Sequence, residues 1–146
     1  MTQAKPLPIQ EAFTYYERLG RVRDYALAHL GEAISVKAAA RVACLSPSYF
    51  SAHFREKVGI PFSSWLRYLR VERAAQLLRE HDHPIGRLAE HVGFSSIRTL
   101  ERSFKEFLSS TPRTYRLQFR PEASLQPPNL VSKTADFVSP TPHDRA

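Results

Sequence analysis

Arg98, Glu101, Arg102 and Lys105 stand three and four residues apart, the interval that gathers side chains onto one face of a helix, and Ile97 falls on the same side. Leu100, Phe104, Phe107 and Leu108 mark the opposite, apolar face. Fifty residues before Arg98, the set Ser48, Ser51, Ala52 and Arg55 diverges in the same way from Phe50, Phe54 and Val58, with Tyr49 placed beside the apolar residues. Guanidinium, ammonium, carboxylate and hydroxyl groups so arranged hydrogen-bond or pair charge with a partner's surface. A single amphipathic helix is also what an ordinary solvated surface looks like, so the weight falls on the recurrence. Bond-making chemistry has no comparable constellation. There is no glycine-rich phosphate loop, nucleophile elbow or carboxylate pair, and the chain reads as a non-enzyme without cofactor. Cys44 is the only cysteine, which excludes an internal disulfide and a cysteine-based metal cluster and leaves a redox role as a minor alternative. His81 and His83 in "REHDHP" read as a loop rather than a metal site, because a closed site needs further ligands.

The elements that position these faces are helical. Leu19, Val22, Ala26 and Leu30 follow the spacing of one buried helix face, and Gly31 stops it. Ser35 caps a short helix over about Val36 to Ala43, Ser46 and Pro47 start a second that ends at Gly59, and Pro61 opens a long one to Glu80. Pro84 begins a short helix to about Val92, Ser95 caps one reaching about Leu108, and Thr111 with Pro112 starts the last. No alternating strand pattern competes. The chain then repeats itself: Ala40, Cys44, Leu45 and Ser46 match Ala89, Gly93, Phe94 and Ser95 at an offset of 49. Phe50, Phe54, Gly59 and Trp65 match Leu100, Phe104, Ser109 and Tyr115 at 50, which puts one extra residue at the start of the second copy's second helix. Short helix, tight turn, and longer helix opening at a serine is the order of a helix-turn-helix. The expected architecture is all-α: two such units joined by a long central helix, about seven helices, a homeodomain-like tandem. Trp65 and Tyr115, at matching places, are expected to pack rather than to stack on bases.

A chain of 146 residues suits one ordinary domain. The expected division is a flexible arm over 1–10, a domain over 11–116 with units at 35–59 and 84–108 around a linker helix at 61–80, and a disordered tail over 117–146. That tail holds five of the eleven prolines, and its Arg120, Lys133 and Arg145 cancel Glu122, Asp136 and Asp144. The net charge of +7 therefore belongs to the residues before it, which favours an anionic partner, nucleic acid first. No apolar run is long enough for a membrane span and no signal peptide opens the chain, so a cytoplasmic protein is expected.

"LSPSYFSAHFREKVGIPFSSWLRYLRVERAAQLL", followed by "PIGRLAEHVGFSSIRTLERSFKEFLSSTPRTYR", resembles the DNA-binding domain of AraC/XylS-type bacterial transcription regulators. The likeness runs from about Leu19 to Arg116, with "RAAQLL", "LAEHVGF" and "TPRTYR" in family order. The chain is most similar to the short, single-domain MarA/SoxS-like branch, without an effector domain. The resemblance implies a monomer on DNA, an asymmetric site of roughly two turns, insertion of two recognition helices into successive major-groove segments about 34 Å apart, and activation through RNA polymerase on nucleoid DNA.

On that resemblance the base-contacting positions are Ser48, Ser51 and Ala52 in the first unit and Ile97, Arg98, Thr99, Glu101 and Arg102 in the second. Arginine at Arg102 or Arg98 would grip a guanine edge, Glu101 would accept from cytosine or pair with Lys105, and Ile97 would press on a thymine methyl. Ser51 and Ala52 are smaller than the family's residues at these places, so the second unit is expected to supply more of the specificity and the first more of the positioning. Cys44 stands where the family usually has glycine, and a left-handed backbone is expected there. Arg55, Arg67, Arg70, Lys105, Arg113 and Arg116 are phosphate-contact candidates, the alternative being a solubilising surface. The alternative function is an interaction protein working through RNA polymerase or another regulator, with weak DNA readout of its own.

Overall fold

The computed structural model describes residues 7–119, which form eight helices and no strand. These are α1 (Glu11–Tyr15), α2 (Glu17–Ala28), α3 (Val36–Val42), α4 (Pro47–Val58), α5 (Phe62–Glu80), α6 (Ile85–His91), α7 (Ile97–Leu108) and α8 (Pro112–Phe119). The helix beyond the expected seven is α1, separated from α2 by the extended backbone of Tyr16. It forms because Ala12 and Phe13 are buried, with the Phe13 ring stacked 5.1 Å from Trp65. Within the span 1–10 expected as an arm, Pro8 is buried and the Ile9 amide donates to the Val58 carbonyl at 2.9 Å. At the other end α8 continues through Phe119, past the expected boundary at residue 116. The remainder of the expected arm, 1–6, and of the expected tail, 120–146, lies outside the described residues.

Two apolar cores form, and α5 belongs to both. Phe50, Phe54 and Val58 of α4 meet Leu19, Val22 and Ala26 of α2, Ala39 and Ala40 of α3, and Phe62, Trp65 and Leu66 from the start of α5. Leu100, Phe104 and Phe107 of α7 meet Leu88 and Ala89 of α6 and the rest of α5, from Tyr68 to Leu78. Each aromatic or leucine wholly withdrawn from water contributes roughly 1.5–3 kcal/mol, so the two clusters are the main stabilising term. Trp65 is buried in the first core and Tyr115 packs against the second, with its ring 5.3 Å from Phe104, in keeping with a packing role for both.

The turns show why the repeat has two registers. After α3, the Cys44 amide donates to Arg41 and the Leu45 amide to Ala40; after α6, the Gly93 amide donates to Glu90 and the Phe94 amide to Ala89. This pair of bonds closes a helix C-terminus by turning one residue left-handed, here Cys44 at φ 60 and Gly93 at φ 99. The cap of α7, however, is Ser96, whose hydroxyl accepts from the Thr99 amide at 3.1 Å as Ser46 accepts from Tyr49 at 3.3 Å. The expected cap, Ser95, is instead the extra residue: it lies in the turn between Phe94 and Ser96, so the offset changes before the second helix starts. A second left-handed pair closes the longer helices, Gly59 at φ 97 and Ser109 at φ 57.

Two stability measurements follow from these turns. Ser96→Ala should cost about 1 kcal/mol in denaturant unfolding, whereas Ser95→Ala should leave stability unchanged. Cys44→Gly should raise stability by roughly 0.5–1 kcal/mol, because relief of left-handed strain exceeds glycine's extra unfolded-state entropy.

Candidate nucleic-acid interface

Each longer helix of a unit is pinned by its apolar face and presents the other to solvent. In α7, Leu100 and Phe104 are fully buried, while Ile97, Arg98, Glu101, Arg102 and Lys105 are exposed. Among the described residues no ion pair forms between Glu101 and Lys105, and Arg98 and Arg102 have no acidic partner. The face thus carries three cations and one anion whose hydrogen-bonding groups are available. Thr99 is different: half-buried, it shares a 3.0 Å hydrogen bond with the Ser96 hydroxyl and so belongs to the helix cap.

The α4 face is smaller and less charged. Phe50, Phe54 and Val58 are fully buried, and Ser48, Ser51, Ala52 and Arg55 are exposed. Tyr49, expected beside the apolar set, is instead 58% exposed, with its ring parallel to His53 at 5.8 Å. The first turn of α4 rotates it past the edge of the core, toward the outward residues. His53 also meets Tyr16 edge-on at 5.8 Å, and the Lys57 ammonium lies 5.2 Å from the Tyr16 ring. The neighbouring Glu56 carboxylate, then Tyr16, raises the Lys57 pKa, so the residue stays cationic.

The six phosphate-contact candidates divide into two groups. Arg55, Lys105 and Arg113 are exposed. The other three are bonded within the fold. Arg67 pairs with Glu106, donates to Ser103 at 3.3 Å and covers the Phe107 ring, tying α5 to α7. Arg70 donates to the carbonyls of Leu30 at 3.1 Å and Glu32 at 2.8 Å, and burial lowers its pKa from the usual arginine value. Arg116 donates to the His83 carbonyl and lies 3.7 Å from Asp82, holding α8 to the connector after α5. Sequence reading also passed over Arg18, which donates to the carbonyls of Ala43 and Cys44 at 3.0 and 3.2 Å and so braces the first unit's turn. Its signal in the sequence is slight, a basic residue next to the buried Leu19. His81 and His83 have rings 5.2 Å apart, and among the described residues no group of three or more metal-ligating side chains assembles. Nor, among those residues, is any helix long and apolar enough to cross a membrane.

Two apolar-cored units, each a short helix, a left-handed turn and a longer helix with an exposed polar face, define a tandem helix-turn-helix protein. Comparison with known proteins specifies the family. The sequence model described as "Helix-turn-helix domain" matches residues 39–118. The regulatory protein PocR of Salmonella typhimurium is 33% identical over 113 residues, 77% of this chain and 37% of its own length. An uncharacterized HTH-type transcriptional regulator of Staphylococcus aureus is 33% identical over 100 residues, 68% of this chain and 13% of its own length. The chain therefore spans well under half of these relatives. Among solved structures, the DNA-binding domain of the global transcriptional factor AdpA, in complex with a target DNA, superposes with a TM-score of 0.67 at 32% identity, covering 75% of this chain and 98% of that one. An AraC-type regulator from Chromobacterium violaceum shares the fold with a TM-score of 0.70 at 24% identity, over 73% of this chain and 96% of that one. The chain belongs to the AraC-type family of helix-turn-helix transcription regulators.

The exposed α7 arginines and the exposed phosphate-contact candidates are expected to separate in binding assays. Arg102→Ala is expected to compress the affinity ratio between a preferred and a scrambled duplex by about 1–3 kcal/mol. Arg113→Ala should weaken both duplexes equally and lower the salt slope by about one. Equal losses on both duplexes for Arg102→Ala would remove it from base readout.

Proposed function

We propose that the chain is a sequence-specific double-stranded DNA-binding transcription regulator that lays α4 and α7 in successive major-groove segments. The observation that carries this reading is the repeated unit, in which each apolar-pinned helix offers an exposed polar face, with uncommitted arginines on α7. The likeness to AdpA, whose domain was solved with a target DNA, supports it. On this reading Arg98, Arg102, Glu101 and Ile97 read base edges, Ser48, Ser51 and Ala52 sit close against the first segment, and Arg55, Lys105 and Arg113 contact phosphates. Thr99 acts chiefly by capping the reading helix. The second unit then supplies more of the specificity, because its face carries the longer hydrogen-bonding side chains. We further propose that the chain acts as a monomer on an asymmetric site in the cytoplasm and activates transcription through RNA polymerase.

Selection of duplexes from a random library, with the purified chain at moderate salt, tests this reading. Two unlike short motifs in fixed orientation about one helical turn apart are expected, with more information in the half bound by α7. The logarithm of affinity should fall linearly with that of salt, by about 0.9 per neutralised phosphate. A palindromic site would contradict the monomer, and absence of any enriched motif would favour a protein that works through a partner.

A further inference from the structure

The two units touch at a place other than α5. The segment Leu30–Glu32, which leads from α2 to α3 in the first unit, runs against His91–Gly93, the end of α6 and its turn in the second. The approach is backbone to backbone: a Cβ on Gly31 would lie 3.0 Å from the His91 carbonyl oxygen, and one on Gly93 would lie 2.4 Å from the Leu30 carbonyl oxygen and 2.7 Å from Arg70 Nε. Arg70, from the middle of α5, reaches into this seam. Its Nε donates to the Leu30 carbonyl and its Nη2 to the Glu32 carbonyl. Leu30 lies just beyond the C-terminal end of α2, where carbonyls lack helical partners and the helix dipole is negative, so a half-buried guanidinium satisfies both demands.

We propose that Arg70, with the close-packed glycines Gly31 and Gly93, is a bracket that fixes the spacing and phase of the two reading units, and so determines which separation of half-sites the protein accepts. This rests on the reading that both units contact DNA. The physical reason is geometric. A rod shared by two bodies leaves bending and twisting about itself opposed only by side-chain packing, whereas a second tie away from the rod's axis opposes both. Arg70 is thus a positioning residue, and the bonds it makes with carbonyls of the first unit leave its guanidinium poorly placed to serve as a phosphate contact.

The test uses the full chain and duplexes carrying its selected site with the spacer between half-motifs changed by one or two base pairs. Each added pair moves the second half-site by about 3.4 Å and turns it by about 35°. The wild-type chain should lose about tenfold or more in affinity for a one-pair change, since only one unit can then engage fully. Arg70→Met, which keeps an unbranched apolar stem but loses the guanidinium and donates no hydrogen bond, should reduce that penalty to about threefold or less. Arg70→Lys, able to serve one carbonyl, should fall between them. Thermal unfolding identifies variants that retain the fold, and Gly31→Ala, which leaves Arg70 in place and crowds the same seam, provides an independent perturbation with partial relaxation expected. Spin labels on cysteines replacing Lys37 and Glu90 in a Cys44→Ser background should give a broader distance distribution with Arg70→Met, without DNA. A folded Arg70→Met chain with the wild-type spacer penalty and an unchanged distribution overturns the bracket while leaving the DNA-reading function intact. A wild-type chain that selects no two-part site removes that function and the spacing role together, and only this outcome is visible before any variant is made.

Discussion

The central helix must be apolar toward two different cores, and the remaining architecture follows from how it does so. Over its 19 residues, roughly 28 Å of helix, α5 passes Phe62, Trp65 and Leu66 to the first cluster and Tyr68, Val71, Ala74, Ala75, Leu77 and Leu78 to the second. A helix that buries side chains in this way has a narrow face left for water, on which Glu72, Arg73, Arg79 and Glu80 are exposed. Its other two arginines become internal ties: Arg67 to α7 and Arg70 to the loop after α2. Tyr68 shows the same pressure, since its hydroxyl donates to Glu72 at 2.7 Å and burial, with that carboxylate beside it, pushes its pKa up. With α5 serving both clusters, neither unit's core is complete without it.

The units share hydrogen bonds more than residues. Both turns close with the same two backbone bonds, although one left-handed position is Cys44 and the other Gly93, and both long helices end left-handed, at Gly59 and Ser109. Each copy thus has a glycine at one strained position and a bulkier residue at the other. The difference at the turns is explicable. Cys44 is exposed, whereas Gly93 lies against the Leu30 carbonyl and Arg70 with no room for a Cβ. The turn of the second unit is part of the seam between units, and the turn of the first is braced by Arg18.

The sequence by itself determined every helix but α1, the two units and the division of α4 and α7 into inner and outer faces, because hydrophobic periodicity, serine caps and helix-stopping glycines are local signals. Family membership was legible for the same reason, as motif order and spacing survive without knowledge of the packing. What only the tertiary structure decided depends on neighbours distant in the chain. Which serine caps α7 was settled by the turn that delivers Phe94 to the core, and the exposure of Tyr49 by where the edge of the first cluster falls. The arginines show the limit most plainly. Arg55, Arg67, Arg70, Lys105, Arg113 and Arg116 look alike in sequence as cations on helices, yet three are exposed and three are bonded to partners 33 to 40 residues away. A long flexible side chain takes its role from the carbonyls and carboxylates that folding brings within reach, and periodicity carries no information about those.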